Sequence, residues 1–155
     1  MSLPSSEAVA ALERELLEGI PLARAMALRV EAWDGTMLAL VAPLAPNVND
    51  KGCAFGGSLA SLMTLAGWGL LHLALGARGI VADIYVQDST LRYLAPVWQD
   101  FRAIARMAAP DGLDDFVATF EARGKARARL RCTVPLADGS DAAVLEAAFV
   151  ALARR

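Results

Sequence analysis

A chain of 155 residues can bury one hydrophobic core without disulfide or metal staples, so one domain over residues 1–155 is expected. With 56% hydrophobic residues, above the usual share of about 45–50%, a net charge of −2 and arginines spread along the chain, the composition argues against a nucleic-acid partner and for a homodimer or higher oligomer that hides the excess apolar surface. Two cysteines, a single histidine and no secretory leader exclude a disulfide framework and a His/Cys zinc cluster, so the expectation is a cytoplasmic protein with no metal and no cofactor.

Over residues 5–19, Val9, Leu12, Leu16 and Leu17 recur at helical spacing, with serines to cap the start and Gly19 to end it, which predicts a short amphipathic helix. Over 25–32, Met26, Leu28 and Val30 alternate against Arg29 and Glu31, and Asp34-Gly35 offers a turn into a second apolar stretch at 36–42; a β-hairpin is expected. Pro43 and Pro46 end it, and a polar loop at 47–54 leads into a run, 59–77, without a charged residue. That run is almost long enough to span a bilayer. Ser61, Thr64, Gly67, Gly69 and His72 within it, and amphipathic strands around it that need something apolar to wrap, instead predict a buried core helix and no membrane span. The helix should start near Phe55-Gly56-Gly57-Ser58 and end near Gly76 or Gly79.

Downstream, residues 82–94 form a long β-rich stretch closed by Pro96, and Phe101, Ala103, Ala105 and Met107 alternate with Arg102 and Arg106. After a break at Pro110-Asp111-Gly112, Phe116, Val117 and Phe120 share a helical stripe that Gly124 terminates. The clearest alternation follows, with Ala126, Ala128, Leu130, Cys132 and Val134 on one face and Arg127, Arg129, Arg131 and Thr133 on the other. Asp138-Gly139 turns the chain into a last strand, 142–153, apolar on both faces and therefore central or at an interface. The class is α+β, an antiparallel sheet of about six strands wrapped round a long central apolar helix.

The stretch with most chemical content is 47–59, Asn-Val-Asn-Asp-Lys-Gly-Cys-Ala-Phe-Gly-Gly-Ser-Leu. Glycines in the first turn of a helix leave backbone N–H groups unobstructed, and the helix dipole adds partial positive charge, so a carbonyl could be polarised there as in an oxyanion hole. The competing reading is that Gly56 and Gly57 only let the helix pack closely on the sheet. Asp88, in an apolar and hydroxyl-rich strand, and Asp50, in the loop, are the carboxylates available as a base, and each could equally be a satisfied structural aspartate. Ser89 and Thr90 could hydrogen-bond a ligand or simply be strand residues. Cys53 and Ser58 lack a base, because His72 lies well along the helix. The Arg127, Arg129, Arg131 row reads as a solvated face, or as a contact for phosphates or an acidic protein.

Asn47-Val-Asn49, Gly52, Phe55-Gly-Gly-Ser-Leu59, Ala66-Gly-Trp-Gly69, Asp88-Ser89 and Arg92-Tyr93-Leu94-Ala95-Pro96 together resemble the hotdog-fold thioesterase superfamily, and most closely the YiiD-type thioesterase family, a hotdog domain also found fused behind an acetyltransferase domain. The resemblance covers nearly the whole chain. It implies a hotdog fold and, as substrate, an acyl thioester of coenzyme A or acyl carrier protein. The wider group carries an Asn, then His-Gly-Gly, then an Asp or Glu on the central helix; these positions fall here on Asn49, on Phe55-Gly56-Gly57 and on Thr64. Phe55 for the His and Thr64 for the carboxylate are departures, since a threonine hydroxyl is not a useful base near neutral pH, although it can orient water or substrate.

The resemblance therefore implies Asn49 and the Gly57 N–H at the carbonyl, Asp88 or Asp50 directing water with Thr64 nearby, and Phe55, Gly56, Ser58, Ser89 and Thr90 about the substrate. Three functions compete. Hydrolysis is the expectation that follows the family. Decarboxylation of a malonyl thioester needs an oxyanion hole for the enolate but no water-activating base, and it suits Phe55 and Thr64. A non-catalytic acyl-thioester binding module would be stabilised by ligand without turnover.

Overall fold

The computed structural model describes residues 6–154. Ser5, the first residue of the expected N-terminal helix, lies outside them. Helix α1 (Ser6–Gly19) buries Leu12 and Leu16 as its spacing requires. A second helix follows at once, α2 (Pro21–Met26), opened by a proline whose missing amide costs nothing in a first turn. This corrects the strand expected over 25–32. Met26 ends the helix, and Ala27 terminates it in the left-handed conformation at φ 56, its amide reaching the Arg24 carbonyl at 3.0 Å. Strand β1 is therefore only Arg29–Trp33.

Strand β2 (Met37–Ala42) returns antiparallel across the expected turn, where the Asp34 carboxylate accepts the Thr36 and Met37 amides, each at 2.8 Å. Partial burial opposes the charge on Asp34, but these bonds and the Thr36 hydroxyl outweigh it and hold its pKa below the ordinary value. Next come α3 (Gly56–Gly76), β3 (Ala82–Tyr93), β4 (Phe101–Met107), α4 (Gly112–Arg123), β5 (Lys125–Pro135) and β6 (Asp141–Ala153). The strands form one six-stranded sheet in the order β1-β2-β4-β5-β6-β3, every neighbour antiparallel.

β6 runs between β5 and β3, which accounts for its apolar residues on both faces. On the inner face, Leu130 and Cys132 of β5 and Leu145, Ala147 and Phe149 of β6 pack toward α3, whose Leu62, Met63, Leu70 and Leu71 are wholly buried. The Arg127, Arg129 and Arg131 side of β5 is exposed on the outer face. α3 is long and apolar enough to cross a membrane by length and composition, yet here the sheet wraps it as the central helix of the core. This is the hotdog arrangement, as expected. The two sheet edges differ: β1 has 5 residues and β3 has 12.

Candidate functional site

The loop before α3 is fixed to the core by Asn47, whose side chain is buried at 2% exposure and donates to the Met26 carbonyl at 3.0 Å and the Pro43 carbonyl at 2.7 Å. Its own carbonyl accepts the Phe55 amide at 2.7 Å, so the same residue sets where the helix can begin. A bridge between Val48 and Ala54, and the Ala54 amide on the Val97 carbonyl at 2.8 Å, close the loop into a narrow flap. At its tip Gly52 takes φ 92. Asn49 shapes this tip: its amide donates to the Cys53 carbonyl at 2.8 Å, its Oδ1 accepts the Lys51 amide at 2.8 Å, and its Nδ2 lies 3.2 Å from the Cys53 Sγ. Asp50 points to solvent and pairs with Lys51 at 3.1 Å.

A helix leaves its first four amides without intrahelical acceptors. At α3 the Phe55 carbonyl accepts two of them, from Ser58 at 2.9 Å and Leu59 at 3.1 Å. The amides of Gly56 and Gly57 have no protein acceptor among the described residues. They sit at the positive end of a 21-residue helix. Two aromatic rings flank them. Tyr93 donates its hydroxyl to the Gly56 carbonyl at 2.9 Å, and a methyl group on Gly56 would lie 3.3 Å from that ring. A methyl group on Gly57 would collide with the Phe55 ring, approaching its Cδ2 and Cζ to 3.1 Å. Both rings are more than half exposed, Phe55 at 55% and Tyr93 at 54%, so the neighbours of these glycines are free to move.

The other expected residues are only partly gathered here. Ser58 is in the same turn, and Thr64 lies further along the half-exposed side of α3, its hydroxyl donating to the Ala60 carbonyl at 2.8 Å. Ser89 is on the inner face of β3, opposite Ala147. Asp88 and Thr90 are not. A bulge between Val86 and Asp88 shifts the pairing, so Asp88 stands opposite Ala148 and Thr90 opposite Glu146, on the face turned away from α3. His72 has a local partner, as expected, pairing with Glu15 at 3.0 Å and stacking on Trp68 with ring centroids 4.7 Å apart. Cys132 is buried beside Gly67, and burial pushes its thiol up to about 12, which leaves it inert. A groove of about 390 Å³ lies elsewhere, among Glu31, Gln99, Asp100 and Arg102, where Arg102 pairs with Glu31 at 3.3 Å.

Sequence reasoning missed Asn47 as the anchor and Tyr93 as the clamp on the helix start. The signal for the first was an asparagine placed just after two prolines, where a turning chain exposes carbonyls that need a donor.

The family described as "Putative thioesterase (yiiD_Cterm)" matches residues 9–153. Among solved structures, a Chlorobaculum tepidum protein of unknown function is similar with 29% identity, covering 98% of this chain and 98% of that one at a TM-score of 0.88. A protein from Shewanella oneidensis described as a putative thioesterase has 28% identity over 96% of this chain and 99% of its own, at a TM-score of 0.81. A Pseudomonas aeruginosa protein described as a probable thioesterase shares the fold at 23% identity, 98% and 99% coverage and a TM-score of 0.80.

Proposed function

The chain belongs to the YiiD C-terminal thioesterase family, and from that premise we propose that it hydrolyses acyl thioesters of coenzyme A or acyl carrier protein with the thioester carbonyl seated at the start of α3. The observation that carries this reading is the pair of unengaged amides on Gly56 and Gly57, at the positive end of the helix and behind a loop anchored by Asn47. As a water oxygen adds to the acyl carbon, the carbonyl oxygen becomes an oxyanion that the Gly57 amide and the helix dipole stabilise. The C–S bond then breaks and the sulfur leaves with a proton as free thiol. Asn49 exchanges the weak Cys53 sulfur acceptor for the oxyanion when substrate enters. Asp88 stands on the other face of the sheet, so in this reading Asp50, on the same loop, directs water after turning from solvent and its pair with Lys51.

One observation favours a second reaction at the same place. Phe55 lays an apolar ring over Gly57, and Thr64 spends its hydroxyl on a backbone carbonyl, an arrangement suited to a site that keeps water out. Decarboxylation of a malonyl thioester breaks the bond to the carboxylate, releases carbon dioxide, and leaves the electron pair as a thioester enolate that the same amides hold until a proton reaches carbon. A panel of acyl and malonyl thioesters followed for free thiol and carbon dioxide separates the two. Thiol release supports hydrolysis, carbon dioxide with the thioester intact supports decarboxylation, and ligand-induced stabilisation without either product contradicts both.

The chain works as at least a homodimer in this reading. Among the described residues β3 leaves a 12-residue edge unpaired, with Tyr85 and Val86 exposed at 56% and 45%, and the adjoining side of α3 through Ser61, Thr64, Leu65 and Trp68 is only half covered. A second copy adding its own β3 removes both liabilities. Light scattering that finds a stable monomer at micromolar concentration contradicts it.

A further inference from the structure

We propose that the outer face of the sheet along β5 is the docking surface for an acidic, amphipathic helix of the protein that carries the acyl group as a thioester, an inference that rests on the thioester reading above. Lys125, Arg127, Arg129 and Arg131 are exposed at every second position of β5, so they form a row on one face with a step of about 6.8 Å. Carboxylates on one flank of a helix recur every three or four residues at about 5–6 Å, close to that step.

The row is neutralised from within only at its Arg131 end. Arg131 reaches the Asp141 carboxylate only at 4.0 Å, and no carboxylate lies within ion-pair distance of Lys125, Arg127 or Arg129 among the described residues. Arg131 stands between Arg106 of β4 and Glu146 of β6, so the cations of the row without a carboxylate at hand are Lys125, Arg127 and Arg129. An anionic partner pairs these three.

The face is also not uniformly polar. Arg127 stands opposite Val150, and Lys125 stands opposite Leu152, which is 41% exposed. Cations on one strand beside an apolar seam on the next fit a helix with carboxylates on one flank and apolar residues on the other, and suit a phosphate backbone poorly, since the chain as a whole carries a net charge of −2. The row also reaches the catalytic end of the sheet. Arg131 shares a cross-strand row with Glu146 and Thr90, only three residues along β3 from Tyr93, whose hydroxyl holds the Gly56 carbonyl. A flexible acyl-bearing arm then passes from the outer face round the sheet to the start of α3.

The test is the charge reversal Arg127→Glu with Arg129→Glu, beside Arg127→Lys with Arg129→Lys. The same acyl group is presented on acyl carrier protein and on coenzyme A, and carrier binding is read by calorimetric titration. The reversed variant should raise KM for the carrier-bound thioester by about tenfold or more and abolish measurable titration heat, with coenzyme A kinetics and the thermal midpoint unchanged and the lysine variant close to the parent. Parent binding to the carrier protein should weaken as salt rises, because the contacts are exposed. Unchanged carrier kinetics and titration in the reversed variant overturn the proposal. So does loss of the oligomer in the reversed variant, which makes the occupant a second copy, or binding of duplex DNA that the reversal removes. If the parent turns over neither thioester, the thioester reading fails by itself, and the titration still decides the docking surface.

Discussion

Two pairs of glycines on α3 do opposite work. In the middle of the helix, a methyl group on Gly67 would lie 2.9 Å from the Phe149 ring, and one on Gly69 only 2.6 Å from Leu38 Cδ2. Phe149 and Leu38 are wholly buried, so neither can yield, and these glycines exist to let the sheet close on the helix. At the start of the helix, Gly57 is crowded just as closely by the ring of Phe55 and Gly56 less so, at 3.3 Å, by that of Tyr93, and both rings are more than half exposed. Packing explains the first pair completely. It does not explain the second, whose unengaged amides are where the proposed reading seats the carbonyl. Substitutions in the middle should cost stability without touching turnover, and substitutions at the start should do the reverse.

The largest expected effect is on activity at the start. Asn49→Ala should lower thioester turnover by roughly ten- to a thousandfold, the range for one preorganised contact to an oxyanion, while the protein stays folded. Steady-state kinetics with a melting curve on the same sample checks it; full activity on every thioester removes Asn49 from the site. In the middle, Gly69→Val overpacks buried Leu38 and Leu12 and should cost roughly 2–3 kcal/mol, a fall in the thermal midpoint of about 5–10 °C, with turnover per folded molecule preserved. A variant that melts like the parent erases the difference between the two glycine pairs.

A smaller effect sharpens the role of Phe55. Phe55→Ala should change stability by no more than about 0.5 kcal/mol, because the ring is 55% exposed, yet it should admit water over Gly57 and raise the ratio of thiol to carbon dioxide released from a malonyl thioester. An unchanged ratio means that the ring does not control water. The smallest is a labelling result beside the helix middle. With its thiol pushed up to about 12 by burial, Cys132 is almost entirely protonated at about pH 8 and should resist an alkylating reagent in the native protein, reacting only after unfolding. Mass spectrometry that finds rapid native labelling of Cys132 shows the core there to be open.

The sequence was most legible where one physical requirement dominated. The alternation of β5 and the uncharged run of α3 each have one burial solution, and both elements formed where the pattern set them. The failures came where a single residue changes the parity or the meaning of a pattern. Met26 and Leu28 fit a strand or a helix end equally well, and only Pro21 and the left-handed Ala27 decide for the helix. Counting alternate residues from Ile84 and Val86 places Asp88 toward α3, but the one-residue bulge after Val86 turns it outward. The start of α3 was legible as a glycine pair, whereas the clamp by Tyr93 and the anchoring by Asn47 depend on long-range contacts that local spacing does not carry.

The central claim, that the start of α3 receives the thioester carbonyl, is tested most directly by Gly57→Val assayed on the thioester that the substrate panel identifies. Gly76→Ala is the matching control, because a methyl group there meets nothing within 4 Å, whereas Gly79 at φ 71 would be strained by any side chain. The exposed Phe55 ring can swing aside to admit the valine, so the thermal midpoint should stay close to that of the parent while the isopropyl group fills the space in front of the Gly57 amide. Loss of turnover in Gly57→Val with full activity in Gly76→Ala is the expected result; full activity in Gly57→Val contradicts the account.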